Sequence, residues 1–425
     1  MRRIKMVLLL LVYLFINFSF LGCQAKKSEK ALEKQPRIKE KIILTVLAGQ
    51  STSDPGIEEI FTEVIEKRIP GVELFWERMD WGEQFESQML IRFAAGEIPD
   101  IMIGKAQDIK IYAPTGNIAE IPDNLVELIR PEIIPSVSIS DRVYGLPYNA
   151  FYQGVLYNKD IFEDNNIPIP QNRQELETVI VRLNSLGIHP FAAHFEETWY
   201  TANIFMQVAI GEIFSKNQDW GNQYRSGSIS FIENESIRNC FENLETILDN
   251  SWSDVMSVNL FECDGRFAAS KAAMYLTGTW SLQNIEALNP SLRIGIFPFP
   301  NRDGDAKLII EPNLTFMKST SPEHSELIDK VFQVLLEDEV LANQISDYTK
   351  TTTVLRSISP QYPQKIQEDI LTFEQNDQVI DATIGNSQLV WTFQEALAQK
   401  TVEWLRGSMT LESVLEYADQ LNVSD

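Results

Sequence analysis

The hydrophobic pattern divides the chain into three unequal parts. Residues 6–20 are apolar apart from one Asn and one Ser, and they follow the basic Arg2, Arg3 and Lys5. The run is shorter than the roughly 20 apolar residues a spanning helix needs. A charged start and a short apolar stretch instead predict a secretory signal peptide over residues 1–22. The next stretch, QAKKSEKALEKQPRIKEK (24–41), holds seven Lys or Arg and three Glu with almost no apolar content, too little to bury a core. It predicts a flexible basic tether over 23–41. Beyond it the pattern becomes periodic. IILTVLA (42–48) is a continuous β-rich run, the polar, Gly- and Pro-containing stretch 49–56 ends it, and IEEIFTEVIEKRI (57–69) has helical spacing. VELFWE (72–77) alternates as a second strand, 81–97 returns to helical spacing, and DIMIG (100–104) reads as a third strand.

Two βαβ units in succession predict a parallel sheet with helices on both faces. In such sheets ligands bind beyond the carboxyl ends of the strands, which directs attention to the loops after Ala48 and Gly104. No repeat of 20–50 residues occurs, and no second apolar run is long enough to cross a bilayer.

Composition narrows the partners. The 425 residues carry a net charge of −24, and loss of the three basic residues in 1–22 would take it to −27. So acidic a body repels nucleic acid and anionic membrane, so no nucleic-acid partner is expected. The basic tether has the opposite sign, either drawn to anionic headgroups or simply solvated. Three cysteines are too few for a disulfide scaffold. Cys240 and Cys263 either form one bridge or remain buried thiols. The length suits two large domains or one elaborate α/β unit.

Candidate chemistry is sparse. His189 and His194 lie five apart with no matching zinc-ligand spacing, so no metal is expected. No phosphate-binding Gly-Lys-Ser/Thr loop and no Gly-x-Ser-x-Gly turn is present, and no cofactor is implied. Counting cannot dismiss a glycosidase carboxylate pair among 60 acidic side chains, since the required spacing belongs to the fold. The 301–305 run Asn-Arg-Asp-Gly-Asp lacks the length and terminal Glu of a calcium loop and reads as a surface turn.

Two resemblances add to this reading. FLGC (20–23) resembles a bacterial lipobox, in which the cysteine, here Cys23, is lipidated and becomes the first mature residue; Phe20 stands where Leu is usual. GEIPDI (96–101), VYGLPYNAFYQGVLYNKDIF (143–162), FAASKAAMYLTGTW (267–280) and IGIFPFPN (294–301) resemble, in that order, the motifs of family 1 extracellular solute-binding proteins, the sugar-capturing subunits of bacterial ABC importers. The resemblance covers roughly 42–423. It implies a two-lobe periplasmic-binding-protein-like α/β fold, with crossing strands near 147–152, 312–316 and 352–357 and a ligand cleft between the lobes. The implied lobes are 42–148 with 312–355, and 149–311 with 356–425.

The same resemblance implies a membrane-tethered monomer on the extracellular face that does no chemistry, captures a carbohydrate by hinge closure and delivers it to a permease. By position it singles out Trp280 and Trp391 as stacking aromatics, and Glu197 and Trp199 as second-lobe contacts. Gln50, Gln107 and Asp108 fall in the first-lobe loops, and Tyr148 lies at the crossing, where Phe151 replaces a carboxylate of the maltose binder. Trp81 either lines the cleft or packs on the core. Rival readings are a sensory binding protein, a binder of a non-sugar solute, and a secreted polysaccharide-degrading enzyme.

Overall fold

The computed structural model describes residues 41–49, 55–79, 85–321, 323–386 and 389–423. The signal peptide, most of the tether with Cys23, and the candidates Gln50 and Trp81 lie outside the described residues. Twelve strands occur among the described residues. In the first third these are β1 (Ile42–Gly49), β2 (Val72–Met79), β3 (Ile101–Gly104), β4 (Ser138–Ile139), β5 (Arg142–Val143) and the long β6 (Leu146–Asn158). They are followed by β7 (His189–Ala192), β8 (Ala272–Gly278), β9 (Ile294–Phe297), β10 (Leu308–Lys318), β11 (Thr352–Thr353) and β12 (Val379–Asp381).

The βαβ reading holds for the opening of the chain. β1 pairs in parallel with β2 and β3, with helices Pro55–Arg68 and Phe85–Ala95 as the crossovers. Alternation along β1 explains the two covered faces: Leu44, Val46 and Ala48 enter one hydrophobic cluster, and Leu47 joins Met89, Phe93 and Met102 in another. The parallel expectation stops there. The sheet continues β3–β10–β6–β8–β7, and β10 is antiparallel to both β3 and β6. Two long strands running through the middle of the sheet have opposite directions, so the whole sheet is mixed.

Those two strands tie the halves together. β6 pairs with β10 and β11 at its start, then with β8 and β9 at its end. The core changes along it within two residues: Tyr148 and Ala150 belong to the cluster with Leu44 and Phe316, whereas Tyr152 belongs to one with Phe191, Met274 and Leu276. Along β10 the same change falls between Ile309 and Leu314. Leu314 takes φ 43°, a left-handed backbone that costs a non-glycine residue energy. The fold is therefore a two-lobe α/β arrangement whose lobes share continuous strands.

In the second lobe, helices Thr198–Ala209 and Trp391–Leu405 pack together and bury Tyr200, Ile204, Leu397 and Ala398. Cys240 and Cys263 are both buried free thiols.

Candidate functional site

Where the core changes lobe, one face of the crossing strands is polar and aromatic. Asn149, Phe151 and Gln153 alternate along β6, opposite Asn313, Glu311 and Ile309 of β10. Register partners in an antiparallel pair share a face, so these six side chains form a patch at the junction. Gln153 also opposes Gly278, the last residue of β8.

Gly278 is what lets an aromatic lie on this patch. A β-carbon there would sit 2.1 Å from the Trp280 ring, so the indole lies flat on a backbone that has no side chain. Trp280 opens the Trp280–Leu288 helix. Its ring meets Phe151 edge-on at 5.4 Å and Trp199 at 6.5 Å. Three partly exposed aromatic rings thus stand side by side.

Behind Trp199 the groups are committed to each other. His194 is fully buried, stacks on Tyr200 at 3.9 Å and sits 5.3 Å from Trp199. Burial lowers its basicity, partly offset by Glu197, whose Oε2 lies 3.0 Å from Nδ1. Glu197 also accepts the Leu260 N–H at 2.7 Å. Its burial is outweighed by His194, Leu260 and Trp199, which together hold the carboxylate below its usual range. Glu197 thus anchors the Leu260–Ala268 helix and the Trp199 ring, with its side chain 35% exposed.

From the first lobe, the turn after β3 contributes Lys105, Gln107 and Asp108. Asp108 is 5% exposed and accepts the Lys105 N–H at 2.8 Å. Its burial pushes it up to about 6, against the Lys105 amide and charge. Lys105 reaches across to the second lobe: its Nζ lies 4.5 Å from the centre of the Trp391 ring. Trp391 opens the Trp391–Leu405 helix, so it faces the first-lobe turn. A second bridge joins Lys350 Nζ to Glu286 Oε2 at 3.3 Å, from the end of helix Glu339–Thr349 to helix Trp280–Leu288.

The candidates read from the sequence therefore separate. Trp280 and Trp199 touch; Trp391 lies beside Lys105; Gln107 is partly exposed in the same turn, and Asp108 caps that turn from inside. Tyr148 lies elsewhere: it is fully buried, edge-on to Phe61 and Phe316 at 5.5 and 5.9 Å, and belongs to the first-lobe core. It points to the face opposite Phe151, as alternation along β6 requires.

Phe151 reads from the sequence only as the replacement for a carboxylate at the crossing, and Gln153, Asn203, Glu311 and Lys105 are not among the candidates read from it. Glu311 had a local signal, a lone carboxylate inside the apolar run LIIEPNLTF. Asn203 had none, because its place depends on packing against β6. Among the described residues no cluster of three or more His, Cys, Asp or Glu is arranged to hold a metal ion.

Comparison with known proteins follows the same lines. A multiple sugar-binding protein of Streptococcus mutans is 22% identical over 259 residues, 56% of this chain and 59% of that protein, so the match spans less than two thirds of the relative. A chitin oligosaccharide binding protein superposes with a TM-score of 0.75 at 18% identity, over 90% of this chain and 98% of the other. A sugar transporter from Bacillus licheniformis, solved in complex with stachyose, gives 0.74 at 16% identity, over 89% and 99%. At those identities the likeness is one of fold. The model of the bacterial extracellular solute-binding proteins matches residues 48–341, well over half of the sequence, and the chain belongs to that family.

Proposed function

We propose that this protein is the carbohydrate-capturing subunit of an ABC importer, a lipoprotein held by Cys23 on the outer face of the cell membrane. It acts as a monomer that closes over its ligand, does no chemistry and hands the ligand to a permease. The observation that carries this reading is the aromatic wall at the lobe junction, Trp280 with Phe151 and Trp199, together with Trp391 held against Lys105 of the first-lobe turn. A pyranose has a face of C–H groups and a rim of hydroxyls. Planar aromatic surfaces suit the face and fixed polar groups suit the rim.

The relatives named for sugars, and the solved structure holding stachyose, point to an oligosaccharide rather than an ion or peptide. We take the lobes as 42–148 with 312–355 and 149–311 with 356–425, a division supported by the change of core along β6 and β10. Gln50 and Trp81 follow β1 and β2 in the sequence and remain proposed contacts, with Gln107. Asp108 acts from behind that turn, and Glu197 from behind Trp199. Tyr148 is left out of the site.

The test is a thermal-shift screen of the soluble body against raffinose, stachyose, maltotriose, xylotriose and chitobiose. A ligand bound only by the folded form raises its melting temperature. At least one sugar is expected to do so at submillimolar concentration. No shift with any of them, alongside a shift with polyamines or peptides, would overturn the reading.

A further inference from the structure

The floor of the junction carries a chain of amides whose polarity is fixed from one end. Thr277 offers a backbone carbonyl, which only accepts. Gln207 Nε2 donates to it at 3.3 Å and to Asn203 Oδ1 at 2.8 Å. Asn203 then presents Nδ2, which donates to Gln153 Oε1 at 3.2 Å. That commits Gln153 Nε2 to donate to Glu311 Oε2. Gln207 and Gln153 are 2% and 4% exposed, so water does not compete for these bonds. Helix Thr198–Ala209 thus clamps one oxygen of Glu311 through two side chains of its own and one of β6.

Glu311 Oε1 has no protein donor among the described residues. It belongs to the side chain opposite Phe151, whose ring packs on Trp280. A carboxylate oriented by one oxygen, with the other beside an aromatic wall, is arranged to accept from a ligand. The charges nearby define which ligand. Lys105 faces Glu311 and Lys110 faces Asp381, while Asp108 is capped by the Lys105 amide. Glu311 and Asp108 share Lys105, and Lys110 serves Asp381, so these three carboxylates leave at most one negative charge uncompensated, too little to call for a polycationic ligand. An anionic ligand would meet Glu311 head on.

We infer that Glu311 determines specificity: its Oε1 accepts hydroxyls of an uncharged sugar ring lying against Trp280, and its charge turns away sugars that bear a carboxylate. This rests on reading the junction as a carbohydrate site. A charged hydrogen-bond acceptor with a buried orienting partner contributes more than a neutral one and rejects a like charge strongly.

The experiment is isothermal titration of the wild type, E311Q and E311D with raffinose, stachyose, maltotriose, xylotriose and digalacturonic acid. The wild type is expected to bind a neutral sugar of this set and to bind digalacturonate at least about tenfold more weakly. E311Q is expected to bind that neutral sugar at least about tenfold more weakly than the wild type, and to narrow the gap between neutral and acidic sugars. If E311Q does not fold, E311D carries the test. It keeps the charge but draws it back by one methylene, so it should lose neutral-sugar affinity while still rejecting digalacturonate. Unchanged neutral-sugar affinity in a folded E311Q or E311D, or a wild type that prefers digalacturonate, would overturn the assignment and leave the carbohydrate reading standing. A wild type that binds none of the five would overturn both.

Discussion

Gly278→Ala perturbs the aromatic wall without touching any ring chemically. The added methyl would begin 2.1 Å from the Trp280 ring, and an ordinary contact is at least 3.4 Å, so the indole must retreat by about 1.3 Å. That retreat disturbs its edge-on contacts with Phe151 and Trp199 at 5.4 and 6.5 Å and pushes the ring toward the space a sugar would fill. Overpacking of this kind costs about 1–3 kcal/mol of stability, and each disturbed aromatic contact is worth about 0.5–1.5 kcal/mol. A sugar ring that stacks on the displaced indole loses a comparable amount, and about 1.4 kcal/mol is tenfold in affinity. The expected result is a Kd raised about tenfold or more by titration calorimetry, with a melting temperature lowered by a few degrees. Gly278→Ala that binds the best panel sugar within twofold of wild type would refute the placement of that sugar on Trp280.

Three further outcomes are expected. Lys350→Met removes the ion pair with Glu286 that joins the lobes. It should weaken sugar binding about two- to fivefold at low salt, and the difference from wild type should vanish in 1 M NaCl if the pair acts through its charge. Asp264 is 1% exposed and burial pushes its carboxyl up to about 7 from an ordinary 3.8, against hydrogen bonds from Asn284, Ser281 and Tyr275. Its folded form keeps a proton that the unfolded chain has lost, so the stabilisation is present below about pH 4 and disappears as pH rises through about 7. Relative to Asp264→Asn, the wild-type melting temperature should therefore fall between pH 5.5 and 8, and parallel profiles in calorimetry would contradict this. Tyr148→Phe deletes a buried hydroxyl that has no hydrogen-bond partner among the described residues of the first-lobe core. It should leave sugar affinity unchanged and stability equal or higher; a loss of affinity would return Tyr148 to the site.

How far the sequence reached is visible in particular elements. The first three strands and their helices were legible because each buries a periodic face: IILTVLA lies within Ile42–Gly49, VELFWE within Val72–Met79, and the second helix of that stretch ends at Ala95 before Gly96. Period and turn residues are local, so they show in a single chain. The antiparallel run of β10 between β3 and β6 is not local. It follows from pairing between residues more than 150 positions apart, such as Glu311 with Phe151, and no window of the sequence reports it.

The site divides in the same way. Trp280 and Trp391 stand at helix starts, where a motif exposes them. Tyr148 reads as a contact because it lies at the crossing near Phe151, yet alternation sends it to the opposite face from Phe151. Gln153, Asn203 and Gln207 look like ordinary amides in the sequence. Only packing of helix Thr198–Ala209 on β6 and β8 turns them into a directed chain that ends on Glu311.

The crystal structure of the protein with the tightest sugar of the panel tests the central claim most directly. A sugar ring is expected against the Trp280 indole, with a ring hydroxyl within about 3 Å of Glu311 Oε1 and both lobes in contact with the ligand. A sugar bound on one lobe alone, away from Trp280 and Glu311, would contradict it.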